Sequence, residues 1–254
     1  MFNIFKKNIP KSIELVVHPT IPKDQINNFV NSIIVPTNNS LPNWWKTQKT
    51  NLFNKVDKID NYVDSKGGYG LNTNHCPAFI DLFKNSYVIK SPCDWYLETH
   101  PEKGWKFRSA NDELLTAIEH NIVQQMNFFA DGYIVNFKLS FGVNIRSNPG
   151  SGLIKLVFLQ PYYHNPHMPL TVMPGVLPLI PKLITNLNLN FSFDKRKPIK
   201  YACKKGDVIG ILYSTDKKLP KLKITQSPSY GGGQYWGQTK FTGSYIDKLK
   251  EYKI

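Results

Sequence analysis

Short apolar runs closed by proline, glycine or asparagine recur along most of the chain, a pattern of strands and turns more than of long helices. Residues 12–54 show it first. Apolar runs at 13–17, 33–35 and Leu41-Pro42-Asn43-Trp44-Trp45-Lys46 alternate there with prolines. Proline lacks a backbone donor and holds its predecessor extended, so this stretch is expected to be irregular or an edge strand, not a helix. Trp44 and Trp45 are expected to anchor it to the core. Residues 55–74 read as a polar surface loop, and the glycines of Lys66-Gly67-Gly68-Tyr69-Gly70 lack the spacing that cradles phosphate.

Residues 75–83 suit one or two helical turns, and 86–89 suit a strand ended by Ser91-Pro92. A hairpin is expected from Trp95-Tyr96-Leu97, the turn Pro101-Glu102-Lys103-Gly104 and Trp105-Lys106-Phe107. The strongest helix pattern covers residues 111–129. Asn111 can cap it, Asp112 and Glu113 occupy the first turn, and Leu114, Leu115, Ile118, Ile122 and Val123 recur at helical spacing until Asp131-Gly132. Further strands are expected at 133–145, 153–159, 170–172, 187–193, 208–213 and 221–225. The whole predicts a mainly β chain with one or two helices: an antiparallel β-sandwich or jelly-roll-like barrel with a covering helix near 111–129. Three regions follow: an irregular proline-rich N-terminal region at 1–74, a β-sandwich domain at 75–228, and a glycine- and aromatic-rich arm at 229–254.

Composition agrees with a packed globule, since 41% of the 254 residues are hydrophobic, 13% aromatic and 20% charged. A net charge of +14 suggests a polyanionic partner, but the only arginines are Arg108, Arg146 and Arg196. Guanidinium forks are the usual readers of phosphate and base edges, so nucleic acid is a possible partner and not the favoured one. Abundant lysine, asparagine and isoleucine also match the residue usage of an AT-rich genome. Cys76, Cys93 and Cys203 are odd in number and widely separated, which fits a reducing compartment and no disulfide framework. Asn8, Pro10 and Lys11 interrupt any signal-peptide core, and no run approaches the roughly 20 apolar residues of a membrane helix, so no membrane partner is expected.

Candidate chemistry is sparse. Lys195, Arg196, Lys197, Lys200, Lys204 and Lys205 flank one strand, opposed by Asp207, and can hold phosphate or an acidic protein or guard a sheet edge. Lys217, Lys218, Lys221 and Lys223 follow the next strand. His164 and His167 form a weak metal candidate that lacks a nearby carboxylate, with His120 and Asp94 as partners only through the fold. Cys76 follows His75, but neighbours on an extended chain point to opposite faces. No cofactor is expected. Tyr235 and Trp236, amid Gly231, Gly232, Gly233 and Gly237, are expected to dock the C-terminal arm on its own or a neighbouring subunit.

Pro42-Asn43-Trp44-Trp45-Lys46, Cys76-Pro77-Ala78-Phe79-Ile80-Asp81, the run from Tyr87 to Asp94, Asn148-Pro149-Gly150-Ser151-Gly152, Met173-Pro174-Gly175-Val176 and Lys205-Gly206-Asp207-Val208-Ile209 together resemble a family of β-rich proteins of unknown function from marine phages, large viruses and bacteria. The resemblance implies a viral or phage setting, in the virion or the cytoplasm of an infected host cell. A second, partial resemblance is to trimeric dUTP pyrophosphatases, carried by Pro174-Gly175-Val176, residues 187–193, the segment from Lys205 to Ile211 and the glycine-rich tail. It implies a related β-barrel without the catalytic groups. Leu177-Pro178-Leu179-Ile180 stand where that family has its aspartate, and no arginine follows Arg196.

The expected role is therefore a non-enzymatic structural or accessory binding protein acting through protein–protein contacts, with other subunits or virion components as partners and a homo-oligomer as the expected state. The alternative is an enzyme acting on a nucleotide or phosphorylated small molecule, with Asp94 or Asp81 placing water. A metal-dependent jelly-roll enzyme is a variant of that alternative.

Overall fold

Val135, Phe137, Leu139, Phe141, Val143 and Ile145 alternate with Asn136, Lys138, Ser140 and Asn144, and all six apolar side chains are buried. Period-2 alternation over that length needs a long strand with one face on a core. In the computed structural model, which describes residues 11–17, 21–47, 76–102, 104–112, 114–119, 134–181, 184–216 and 218–226, it forms one. In chain order the elements are β1 (Ser12–Val17), α1 (Ile26–Ile33), β2 (Ile34–Pro36), α2 (Asn43–Thr47), α3 (Pro77–Lys84), β3 (Ser86–Lys90) and β4 (Trp95–His100). Then come β5 (Gly104–Ser109), β6 (Thr116–Glu119), β7 (Ile134–Ser147), β8 (Ile154–Leu159), β9 (Thr171–Val172) and β10 (Gly175–Leu179). The series ends with β11 (Thr185–Asp194), β12 (Lys200–Cys203), β13 (Val208–Ser214) and β14 (Lys221–Gln226).

These strands make a six-stranded sheet in the order β14-β1-β7-β11-β9 with β6 also on β7, a five-stranded sheet β10-β8-β13-β3-β2, and a three-stranded sheet β12-β4-β5. Every pair is antiparallel except β1 with β14. The mainly β, sandwich-like architecture expected from the strand spacing is thus present. Its core lies between the inner faces, where Leu15, Phe141 and Leu187 of the large sheet join Ile89, Leu156 and Leu212 of the five-stranded one. The small sheet covers the other end of β7 and β11, with the Trp105 ring 5.4 Å from Phe137 and 6.2 Å from Phe193.

One edge of β7 serves two partners, β1 at residues 143–147 and β6 at 137–140. Between them Gly142 takes φ +62, and the β7–β11 register shifts opposite it, between Asn186 and Asn188. Glycine is at home in that left-handed conformation, and such a bulge lets a long strand bend over two separate covers.

Two expectations are corrected. Where a helix is expected to start at residue 111, Asn111 instead caps a single turn, its carbonyl accepting from the Leu114 and Leu115 N–H groups and its side chain from Leu114. The chain then becomes strand β6, registered Thr116 to Ser140 and Ala117 to Leu139. The exposed edge of β7 supplies long-range hydrogen bonds, and a short amphipathic run containing β-branched Thr116 and Ile118 adopts strand when offered them. Residues 120–133 lie outside the described residues. The N-terminal stretch, expected to be edge strand or irregular, contains a strand inside the large sheet and two helices. All six β1 residues are buried between β14 and β7. Ile26, Phe29, Val30 and Ile33 share one helical face of α1 and pack on the core.

Candidate functional site

Aromatic side chains from three distant parts of the sequence meet at one surface of the five-stranded sheet. The first is α2, whose Trp44 and Trp45 rings stand 5.6 Å apart. The second is α3, which begins at Pro77, a residue suited to the first helical position, and whose spacing places Phe79, Leu82 and Phe83 on one face. Phe83 is the buried anchor, and its ring meets Trp45 edge-on at 4.8 Å. The third is the turn after β8, which brings Tyr163 to 4.8 Å from Phe79 and Tyr162 to 5.6 Å from Tyr163.

Polar bonds fix that turn from several sides. The Trp44 indole N–H donates to the Tyr163 carbonyl at 2.7 Å, and Asn165 donates to the Tyr201 hydroxyl at 3.0 Å. Gln160 clamps the strand beyond it, donating to the Leu170 carbonyl at 3.0 Å and accepting from the Val172 N–H at 2.6 Å. Such bracing holds contact residues rigid, which lowers the entropy lost when a ligand orders them.

A cleft of about 380 Å³ opens beside the cluster, lined by Ala78, Phe79, Asp81 and Leu82 of α3 together with Leu159, Tyr163 and Tyr213. Among the described residues Asp81 is its one carboxylate. It accepts from the Tyr213 hydroxyl at 2.5 Å and from the Asn85 amide at 2.7 Å, and the first of these bonds raises the Tyr213 pKa by favouring the protonated phenol. Trp44, 38% exposed, and Tyr162, 62% exposed, pack on Tyr163 beside the cleft. Aromatic walls with a carboxylate fit an apolar or amphipathic side chain, including one ending in a cation.

The residues singled out in the sequence are distributed differently. Lys195, Arg196 and Lys197 occupy the turn between β11 and β12, Lys200 lies on β12 itself, and Lys204 and Lys205 lie on the turn at its other end. β12 is the edge of the small sheet, so the basic residues are strung along and beyond an edge strand, where lysine also blocks unwanted pairing. Several are matched by carboxylates. Arg196 forks Asp194 at 2.7 Å and holds that carboxyl down at about 2, Lys200 lies 3.7 Å from Glu98, and Lys204 lies 3.1 Å from Asp94. Asp94, the alternative water-placing carboxylate, also accepts from the Lys205 backbone N–H at 2.8 Å, which lowers its pKa and ties it to the turn.

His164 Nε2 lies 2.8 Å from the Ser40 carbonyl and must carry the proton to bond it, while burial lowers the ring's pKa. His167 is exposed. No cluster of three His, Cys, Asp or Glu side chains suited to a metal occurs among the described residues. His75, His120, Tyr235 and Trp236 lie outside the described residues, as does Lys217. Among the described residues no helix is long and apolar enough to cross a membrane.

Sequence reading anticipated Trp44 and Trp45 as anchors but did not bring Phe79, Tyr163 and Tyr213 together with them. The available signal was the concentration of Trp and Tyr in loops, a composition typical of contact surfaces. Comparison of the chain with protein-family models, with curated proteins and with solved structures gives no match.

Proposed function

We propose that this is a non-enzymatic binding protein that makes protein–protein contacts through the aromatic cleft between α3 and the turn after β8. The observation that carries the reading is the convergence of Trp44, Phe79, Tyr162 and Tyr163 in one cluster beside that cleft, Phe79 and Tyr163 lining it and Trp44 and Tyr162 packed on Tyr163 and exposed. Tryptophan and tyrosine dominate interface hot spots because they bury a large apolar area at low entropic cost. Self-association is the expected mode, with other subunits or virion components as further partners. The resemblance to phage and large-virus proteins and the lysine-rich, arginine-poor composition support a viral or phage setting, in the virion or the infected-cell cytoplasm.

Sedimentation of the full chain and of the Trp44→Ala/Tyr162→Ala variant tests this reading. The wild type is expected to sediment as an oligomer and the variant as a smaller species that stays folded, its melting temperature lowered only by the lost Trp44 contacts. A wild type that stays monomeric at high micromolar concentration, or a variant that assembles as well as the wild type, would sink it.

A further inference from the structure

We infer that a second groove, separate from the aromatic cleft, binds a small phosphomonoester of mononucleotide size. The groove lies where β2, the edge of the five-stranded sheet, faces the start of β14, the edge of the six-stranded sheet, next to the C-terminal end of α1. Its volume is about 530 Å³, within the range of small-molecule sites.

Lys84 and Lys221 both line it, brought from the end of α3 and the start of β14, and three amides, Asn31, Asn38 and Asn39, line it with them. No carboxylate lines it among the described residues. Lys11, Lys200 and Lys204 each have a carboxylate partner, whereas neither Lys84 nor Lys221 has one among the described residues. The three asparagine side chains likewise have no hydrogen-bond partner among the described residues. Two ammonium groups flanking one concavity raise the local potential for an anion, and each asparagine adds two N–H donors.

A phosphomonoester carries about −1.5 to −2 charges near neutral pH and three acceptor oxygens, which suits two point-charge donors and neutral amides. Between the polar groups the walls are apolar, formed by Ile34, Pro36, Leu219 and Leu222, and they suit a ligand with a body beyond its phosphate. The Tyr87 hydroxyl donates to the Pro220 carbonyl, which fixes the wall carrying Lys221. An extended acidic peptide fits less well. β2 has three residues and ends in Pro36, which lacks a donor, so it offers almost no ladder for an added strand.

Calorimetric titration of the full chain with nucleoside 5′-monophosphates, the matching nucleosides and inorganic phosphate tests the inference. At least one monophosphate is expected to bind saturably, its nucleoside to bind at least tenfold more weakly, and the affinity to fall with salt. Lys84→Gln/Lys221→Gln is expected to weaken the monophosphate at least tenfold while the melting temperature without ligand stays that of the wild type, both side chains being exposed. Absence of saturable binding by every monophosphate overturns the proposal. Equal affinity for inorganic phosphate, or unchanged affinity in the double variant, overturns it too. If the variant proves less stable, Asn38→Ala/Asn39→Ala supplies the same comparison from the exposed amides. Sedimentation of these variants should match the wild type, so failure here is distinguishable from failure of the cleft as a contact surface.

Discussion

Gly210 of β13 approaches Leu189 of β11 so closely that a Cβ built on the glycine would lie 2.8 Å from Leu189 Cδ1 and 2.9 Å from Cδ2. The two residues belong to different sheets, and the contact sets how near those sheets come at that point. Leu189 is fully buried, so its methyl groups must displace other core atoms to make room. Gly210→Ala is expected to destabilise the fold by about 1–3 kcal/mol through overpacking, and Leu189→Val in the same chain should restore part of the loss. Denaturant unfolding of the single and double variants checks this. An alanine variant as stable as the wild type would show that the sheets part without strain.

Glu14 joins three strands of the large sheet. From β1 it accepts the Arg146 Nε–H of β7 at 2.8 Å and the Thr225 hydroxyl of β14 at 2.9 Å. The Arg146 hydrogen bond is the main cause of its lowered pKa. A carboxyl with a depressed folded pKa stabilises the fold above its unfolded value, about 4.3, and loses that contribution as pH falls through the folded value. Glu14→Gln is expected to cost about 1–3 kcal/mol at neutral pH, and the difference from wild type should shrink on acidification below about pH 4. Melting temperatures of both proteins across pH 2 to 7 decide it; a gap independent of pH would assign the loss to packing alone.

Asp81 governs the phenol of Tyr213 across the aromatic cleft. Replacing Asp81 with Asn removes the charge that favours the protonated ring, so the Tyr213 titration should move down toward the ordinary tyrosine value of about 10. Difference absorbance at alkaline pH, with Tyr213→Phe identifying the signal, reads the shift. No change on Asp81→Asn would break the link between the two side chains.

The three cysteines should react in sequence. Cys76 is half-buried, Cys93 is buried, and Cys203 is buried with its thiol pushed up to about 12 by desolvation. Because the thiolate is the reactive form, a thiol reagent at neutral pH should label Cys76 first and reach the other two only on unfolding. Mass mapping of the first labelled site checks it, and early labelling at Cys203 would contradict the burial.

Much of this fold was legible where local and distant forces agree. The β4–β5 hairpin and the alternation of β7 and β11 follow from turn residues and period-2 patterning within short windows, and α3 from its opening Pro77 and the spacing of Phe79, Leu82 and Phe83. Misreadings arise where a remote partner decides. Residues 114–118 carry helical spacing, yet the open edge of β7 draws Thr116–Glu119 into strand β6. Ile26–Ile33 contains three asparagines and a serine, weak helix formers, and becomes a helix because Ile26, Val30 and Ile33 gain a core to cover. The cleft was hidden for the same reason. Trp45, Phe79 and Tyr163 are far apart in sequence, and nothing in a local window says that they converge.

The parallel pairing of β1 with β14 has a consequence for biosynthesis. Glu14 and Thr225 are 211 residues apart, and at roughly 5–20 residues per second the second strand leaves the ribosome about 10–40 s after the first. During that interval Ile13, Leu15 and Val17, all fully buried at the end, have no neighbour on the β14 side and wait even longer for a closed sheet than for β7. Contacts this remote slow folding and leave an apolar strand open to wrong pairing. The nascent chain is therefore a natural client for a ribosome-bound chaperone, and its yield should respond to translation speed and temperature more strongly than its equilibrium stability would suggest.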